Sequence, residues 1–352
     1  MIFVTPHLQH LYKQLGIKSD LAAETVDLIW EKFPNMENKY GPVGKKKCVD
    51  DLDYTLAFLD VAVENSSYEL FSSYINWLIV LLESRGLSKQ WLKEALIVLS
   101  ENLSRLNPSK EKELAVNFLT QSLSNFNEEL PAPAYIQPDQ PYAELTSRYL
   151  EFLLNADRSS AWHLIEKQIK AGVTIKDIYL HVFQPAMYEV GKLWQIGQIT
   201  PAVEHYCTAA TQLFMSQLYP FIFSGPKTGK KFVAACVSGE LHELGIRLTA
   251  DLLEMEGWNT QYFGANTPSI SLLDAIIKNR PELVGISCTI PLNVGKVKEI
   301  IQLVRNERVV ANTKIIVGGN TFKMAPDLYQ KIGADYVALS AEAALIIAAS
   351  MV

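Results

Sequence analysis

The chain lacks a long hydrophobic run. Its longest strongly apolar stretch, residues 77–82, is far short of the roughly 20 residues that a membrane-crossing helix needs. No charged N-terminal segment leads into an apolar one, so neither export nor a membrane partner is expected and a cytoplasmic setting follows. Cysteine is scarce: Cys48, Cys207, Cys236 and Cys288 are widely spaced, with no CxxC pair. That excludes a disulfide framework and a thiolate zinc site, and predicts reduced thiols. Basic excess is missing as well. With a formal net charge of −6, the chain has no electrostatic footprint for nucleic-acid phosphate, and direct DNA binding is disfavoured.

What is present is a globular composition over 352 residues, enough for two or three domains, each with its own core. Residues 1–130 read as helix throughout. Leu52, Leu56, Leu59 and Val63 recur at helical spacing, as do Leu70, Tyr74, Trp77, Leu78 and Leu81, and Ser88 marks a helix start. This segment holds 13 Lys/Arg against 18 Asp/Glu, unlike a basic helix-turn-helix module. Prolines at 131, 133, 138 and 141 cannot continue a helix, so residues 131–141 form a linker. Helical periodicity resumes over 142–223, with breaks at Ala156-Asp157, Ala171-Gly172, Gly197 and Thr200-Pro201. Four or five helices fit, which predicts a small bundle.

After the polar stretch 224–231 the pattern changes. Apolar runs at 232–237, 260–263, 283–287, 314–317 and 336–339 alternate with helical stretches near 243–256, 269–279, 293–306, 323–332 and 341–351. Strands alternating with helices of this length predict right-handed βαβ units and a doubly wound parallel sheet over 230–352. Such a sheet binds ligands at the carboxyl ends of its strands. Glu240, His242 and Gly245 follow the first strand, Ser287 and Thr289 end the third, and Gly318-Gly319 end the fourth. A lone histidine at a helix start is ordinarily satisfied by a neighbour. Here all seven residues share one rim.

Glu240-Leu-His242-Glu-Leu-Gly245, then Ser287-Cys-Thr289, then Gly318-Gly319 resembles the cobalamin-binding Rossmann-like (flavodoxin-like) domain of corrinoid proteins. The resemblance implies that His242 is the lower axial cobalt ligand and Glu240 its carboxylate partner, where many family members carry aspartate. A carboxylate on the other ring nitrogen fixes the tautomer of a ligating imidazole. Gly245 would then lie close to the corrin, and Ser287, Thr289, Gly318 and Gly319 would line the slot for the nucleotide tail.

In the bundle, Glu189-Val-Gly191-Lys-Leu-Trp194, followed after nine residues by Glu204-His205, closely resembles the helical cap of light-sensing adenosylcobalamin photoreceptors. Asp157-Arg158, Ala161-Trp162 and Phe183-Gln-Pro185-Ala186 fit the same cap. The resemblance implies adenosylcobalamin as cofactor, with Trp194 over the adenosyl group, Glu204 bonded to its ribose or adenine, and His205 beside the cobalt. It also implies that light breaks the cobalt–carbon bond, that Trp194 moves, and that His205 takes the vacated axial site, altering oligomerisation or the binding of a downstream protein partner. Taken without that family, Trp194 reads as core and Glu204-His205 as a solvated helix face. The same fold also serves corrinoid proteins that carry a methyl group for a methyltransferase, the alternative reading. In neither case is a catalytic residue assigned.

The better-known light-sensing repressors place a basic winged helix before the cap, where this chain has its acidic helical segment. Asp50-Asp51-Leu52-Asp53-Tyr54 through Trp77 and Arg85-Gly86-Leu87 resembles the N-terminal region of cobalamin photoreceptors that also hold a bilin, such as biliverdin, with Cys48 as a conceivable attachment point. The competing reading is a helical interaction or dimerisation domain whose aromatics Phe58, Phe71, Tyr74, Trp77 and Trp91 are core. A haem sensor fits less well, since His7 and His10 are the only histidines before the linker. A homo-oligomer is expected.

Overall fold

The computed structural model describes residues 15–16, 20–126, 133–223 and 226–351; His7 and His10 lie outside them, as do the first two linker residues. The chain divides into two compact units, Met1–Leu130 and Pro131–Val352. The first contains, among the described residues, five helices: α1 (Leu21–Lys32), α2 (Asn35–Glu64), α3 (Tyr68–Ser84), α4 (Lys89–Arg105) and α5 (Lys110–Ser124). α2 is kinked where Gly41 takes φ 58° ahead of Pro42, because proline cannot donate the helical hydrogen bond. Ser88 caps α4 by accepting from the amide of Gln90. Leu56, Leu59, Leu70, Phe71, Leu96, Leu99 and Leu119 are buried together. Phe58 stacks on Tyr74 at 3.9 Å between ring centroids, and both are buried, so three of the five aromatics belong to the core. Trp77 and Trp91 are half-buried. Burial pushes the Cys48 thiol up to about 11, with Asp51 adding to it, which leaves little of the thiolate that would act as nucleophile.

The second unit begins with a helical cap: α6 (Ala143–Leu154), α7 (Arg158–Lys170), α8 (Ile175–Asp177), which runs through a π-helical turn (Ile178–Phe183) into α9 (Gln184–Gln195), then α10 (Pro201–Gln217) and α11 (Tyr219–Ile222). Asp157 and Thr200 cap α7 and α10. A parallel sheet follows: β1 (Lys231–Cys236), α12 (Leu244–Met255), β2 (Asn259–Tyr262), α13 (Ser269–Asn279), β3 (Leu283–Ser287), α14 (Val294–Asn306), β4 (Lys314–Gly318), α15 (Asn320–Met324), α16 (Leu328–Lys331), β5 (Tyr336–Ala338) and α17 (Ala341–Ala349). The strand order is β2-β1-β3-β4-β5, as in flavodoxin-like sheets. β1 and β3 are buried almost throughout, as parallel strands covered on both faces must be. The helix expected over 323–332 is instead two short helices. Pro326 disfavours helical geometry at the residue before it. Among the described residues, no helix is long and apolar enough to cross a membrane, and the four cysteines are free.

Candidate functional site

β1 and β3 are neighbours, but β1 leads on to β2 at one side and β3 to β4 at the other. Their connections part at this point, and a crevice opens at their carboxyl ends. The loop after β1 turns at Gly239, whose φ of 84° suits glycine. Asn266 accepts from the Gly239 amide at 2.8 Å and returns its own amide to the Glu240 carbonyl at 2.9 Å.

Glu240 is the hub of this crevice. Its side chain is 0% exposed. One oxygen accepts from the Thr289 and Ile290 amides at 2.7 and 2.9 Å and from Asn293 Nδ2 at 3.3 Å, all from the loop after β3. The other accepts from the His242 amide at 3.1 Å and from His242 Nδ1 at 2.6 Å. Burial pushes its carboxyl up, but the His242 bond, the His242 charge and the Ile290 and His242 amides outweigh that and hold it at about 2. A fixed negative charge therefore ties the two loops of the switch point together.

His242 is 58% exposed at its side chain. Its pKa is raised chiefly by the bond to Glu240, against burial, with Glu240 and Glu204 charges adding. With Nδ1 committed to the carboxylate, Nε2 is the nitrogen left to meet a ligand. Among the described residues no three His, Cys, Asp or Glu side chains gather as a metal cage. A single carboxylate-backed imidazole suits a metal that arrives already chelated, as cobalt does in a corrin. The surroundings fit a broad apolar ligand: Leu241 is 62% exposed beside His242, and Phe263 and Leu339 stand exposed just beyond β2 and β5. An added Cβ at Gly245 would have no protein atom within 4 Å, so the start of α12 offers open space. Gly319 is different. Its φ is 105°, and a Cβ there would lie 2.3 Å from the Cys288 carbonyl, so contacts within the chain already require glycine. Gly318 would meet the Ala338 carbonyl at 3.0 Å. Ser287 is buried at the end of β3, and Thr289 serves through its amide.

In the cap, Trp194 sits half-buried near the end of α9, and Glu204 and His205 lie near the start of α10. Glu204 Oε2 meets His205 Nδ1 at 2.6 Å, and His205 is 79% exposed against 29% for Glu204. Thr208 donates to the other Glu204 oxygen at 3.1 Å. The pairing repeats that of Glu240 and His242: carboxylate on Nδ1, Nε2 turned to other uses. The Glu204 charge acts on His242, which places the cap's acid within electrostatic range of the crevice. Cap and sheet also meet where Lys323 of α15 lies 3.1 Å from the Tyr188 hydroxyl and 4.6 Å from its ring centroid.

Sequence reading missed Asn266, Asn293 and Glu243. The Glu243 carboxylate accepts from Gln212 Nε2 of α10 at 2.8 Å, the Tyr262 hydroxyl at 2.6 Å and the Ala265 amide at 2.9 Å. One signal was available. Glu204, Thr208, Gln212 and Ser216 recur every four residues, a polar stripe along a helix whose Cys207, Ala210, Thr211, Phe214 and Met215 are buried.

Residues 230–349 match the family model described as a B12 binding domain, and residues 145–219 match a second model of the same description. The Dimethylamine corrinoid protein of Methanosarcina barkeri is 24% identical over 57% of this chain and 94% of its own length. HTH-type transcriptional repressors of Myxococcus xanthus also match. CarA is 27% identical over 45% of this chain, and CarH 25% over 49%. The chain spans 52% and 57% of those two repressors. Among solved structures, the Methanosarcina barkeri monomethylamine corrinoid protein aligns with a TM-score of 0.54 and 20% identity, over 60% of this chain and all of that one, a likeness of fold.

Proposed function

We propose that this chain, a cobalamin-binding protein built on two B12-binding domains, is a light-responsive adenosylcobalamin sensor. The observation that carries the reading is the Glu204–His205 pair on the cap, a second carboxylate-backed imidazole beside the one on the sheet. When bound, adenosylcobalamin supplies a cobalt–carbon bond that visible light cleaves. His242 would hold the cobalt from below through Nε2, with Glu240 fixing its tautomer. Ser287, Thr289, Gly318 and Gly319 would flank the nucleotide tail, and Gly245 would leave room for the ring. Trp194 would pack against the upper face, Glu204 would bond the adenosyl sugar or base, and His205 would present Nε2 as a replacement ligand. The cap is then a packing element with two arrangements, chosen by whether its pocket is filled, and the output is a changed oligomer or partner contact. A methyl carrier for a methyltransferase is the second reading, favoured by a match that covers 94% of a corrinoid protein's own length against 52% and 57% for the two repressors.

The test is the absorption spectrum of purified protein loaded in the dark with adenosylcobalamin or methylcobalamin, then lit with green light, with size-exclusion chromatography before and after. The sensor reading expects preference for the adenosyl form, a spectral change on illumination and a shifted elution volume. It also expects His205→Ala to keep dark binding and lose the wild-type lit spectrum. An identical lit spectrum in His205→Ala removes the assigned role. Equal retention of methylcobalamin, with no light effect on assembly, selects the methyl carrier.

A further inference from the structure

The polar stripe of α10 divides into two halves with different partners. Thr208 bonds Glu204 at 3.1 Å, at the end that carries His205. Gln212 bonds Glu243 at 2.8 Å, and Ser216 accepts from Arg247 of α12 at 2.7 Å, at the end that meets the sheet. One helix thus carries the cap's imidazole and is moored to the residue that immediately follows His242. The mooring point is itself rigidly held. The Glu243 oxygen that does not face Gln212 accepts from both Tyr262 and Ala265, so its carboxylate is fixed to the end of β2 and the loop beyond. Burial and the Glu243 bond push the Tyr262 hydroxyl well above its usual range, which keeps it a donor.

We infer that the Gln212–Glu243 hydrogen bond is the latch that holds α10 over the crevice, with Ser216–Arg247 as the pivot behind it. Both are positioning residues: neither meets cobalt, and their effect is exerted through the placement of Glu204 and His205. This inference rests on the sensor reading for what the latch encloses. The latch itself is a property of the chain, and it can be tested without any ligand.

The division of labour on Glu243 provides a charge-swap experiment. In Glu243→Gln the amide oxygen can still accept from Tyr262 and Ala265 while its NH2 faces residue 212. Gln212→Glu alone sets two carboxylates against each other, and the double variant Gln212→Glu/Glu243→Gln restores a donor–acceptor pair in reverse. Amide hydrogen exchange over 201–209 in cobalamin-free protein is the first readout. Exchange is expected to rise about tenfold in Gln212→Ala, to rise further in Gln212→Glu and to return to within about twofold of wild type in the double variant, the scale of one hydrogen bond to a charged group. Dark release of adenosylcobalamin to a scavenger is the second, with the same ranking, while the absorption signature of the lower imidazole ligand stays that of wild type. Unchanged exchange in Gln212→Ala and Gln212→Glu, or a double variant as fast as Gln212→Glu, overturns the latch. Latch behaviour in cobalamin-free protein, combined with failure of the wild type to retain any cobalamin, overturns the sensor reading and leaves the latch standing.

Discussion

At the scale of single residues, Glu240 shows how one buried charge organises a loop pair. A carboxylate sealed from water costs several kcal/mol unless it is paired and hydrogen-bonded. Here three amides, an asparagine and an imidazole meet that demand. Glu240→Ala would strand those donors, and is expected to lower unfolding free energy by about 3–5 kcal/mol in urea titration, since each buried donor left unmade costs about 1–3 kcal/mol. Glu240→Gln keeps an acceptor for the amides and should lose about half as much. Asp251 presents the opposite case. Burial pushes its carboxyl up to about 6, partly offset by the Tyr179 hydroxyl at 3.0 Å and the Arg247 charge, with Glu254 raising it again. A folded pKa above the unfolded one favours the protonated form. Stability from this group is therefore fully present below about pH 4 and lost as pH rises through about 6. The loss approaches about 3 kcal/mol at 1.36 kcal/mol per unit. Asp251→Asn should flatten that slope, and chemical denaturation at pH 4.5 and 7.5 for both proteins checks it. Of the residues that build the crevice, His242 and Glu240 were legible as side chains at strand ends. The amides of Thr289 and Ile290 were not, because a backbone donor has no signature in a sequence and its partner is set by folding.

Helices carry the next level of meaning. The π-helical turn before α9 interrupts the register of the segment that carries Trp194 near its end, and such turns gather at functional positions. It is held from two directions: Tyr179 donates to Asp251 of α12, and the buried Thr146 hydroxyl lies 2.7 Å from the His181 carbonyl and 2.9 Å from that of Tyr142. Thr146→Val keeps the shape and removes the hydroxyl, so a loss of about 1–2 kcal/mol is expected, with faster amide exchange confined to 178–184. Unaltered exchange there would show that the hydroxyl does not hold the turn. Several helix ends were legible from an explicit cap or breaker: Ser88, Asp157 and Thr200 each cap a helix, and Gly172 and Gly197 take positive φ past helix ends. The π turn was invisible, since its residues differ in no way from an ordinary apolar helical run. The split at Pro326 could have been found; apolar periodicity on both sides masked it.

For the whole molecule, alternation of apolar runs with helices was sufficient to predict a parallel doubly wound sheet, because that architecture repeats one unit with one handedness. The order of strands was not legible from that alternation and came only with the family resemblance. Only the order places the loops of His242 and Thr289 side by side at the reversal between β1 and β3, which makes a site of residues about 50 positions apart. The same division of labour separates the two compact units. Every candidate cobalamin-binding residue belongs to Pro131–Val352, and the first unit has its own apolar core. Two cores predict two unfolding transitions, since each domain folds as its own cooperative unit. A ligand that binds one native unit stabilises only that unit, by about 2.7 kcal/mol at a hundredfold excess over its Kd. For a unit of this size that amounts to about 5–10 °C in Tm. Calorimetry in the dark should therefore show one transition moving upward with adenosylcobalamin while the other stays in place. In His242→Ala, which removes the lower ligand and leaves Glu240 its amides, the shift should largely disappear with both transitions still present. A single merged transition, or equal movement of both, would mean that the units are coupled more tightly than their separate cores imply.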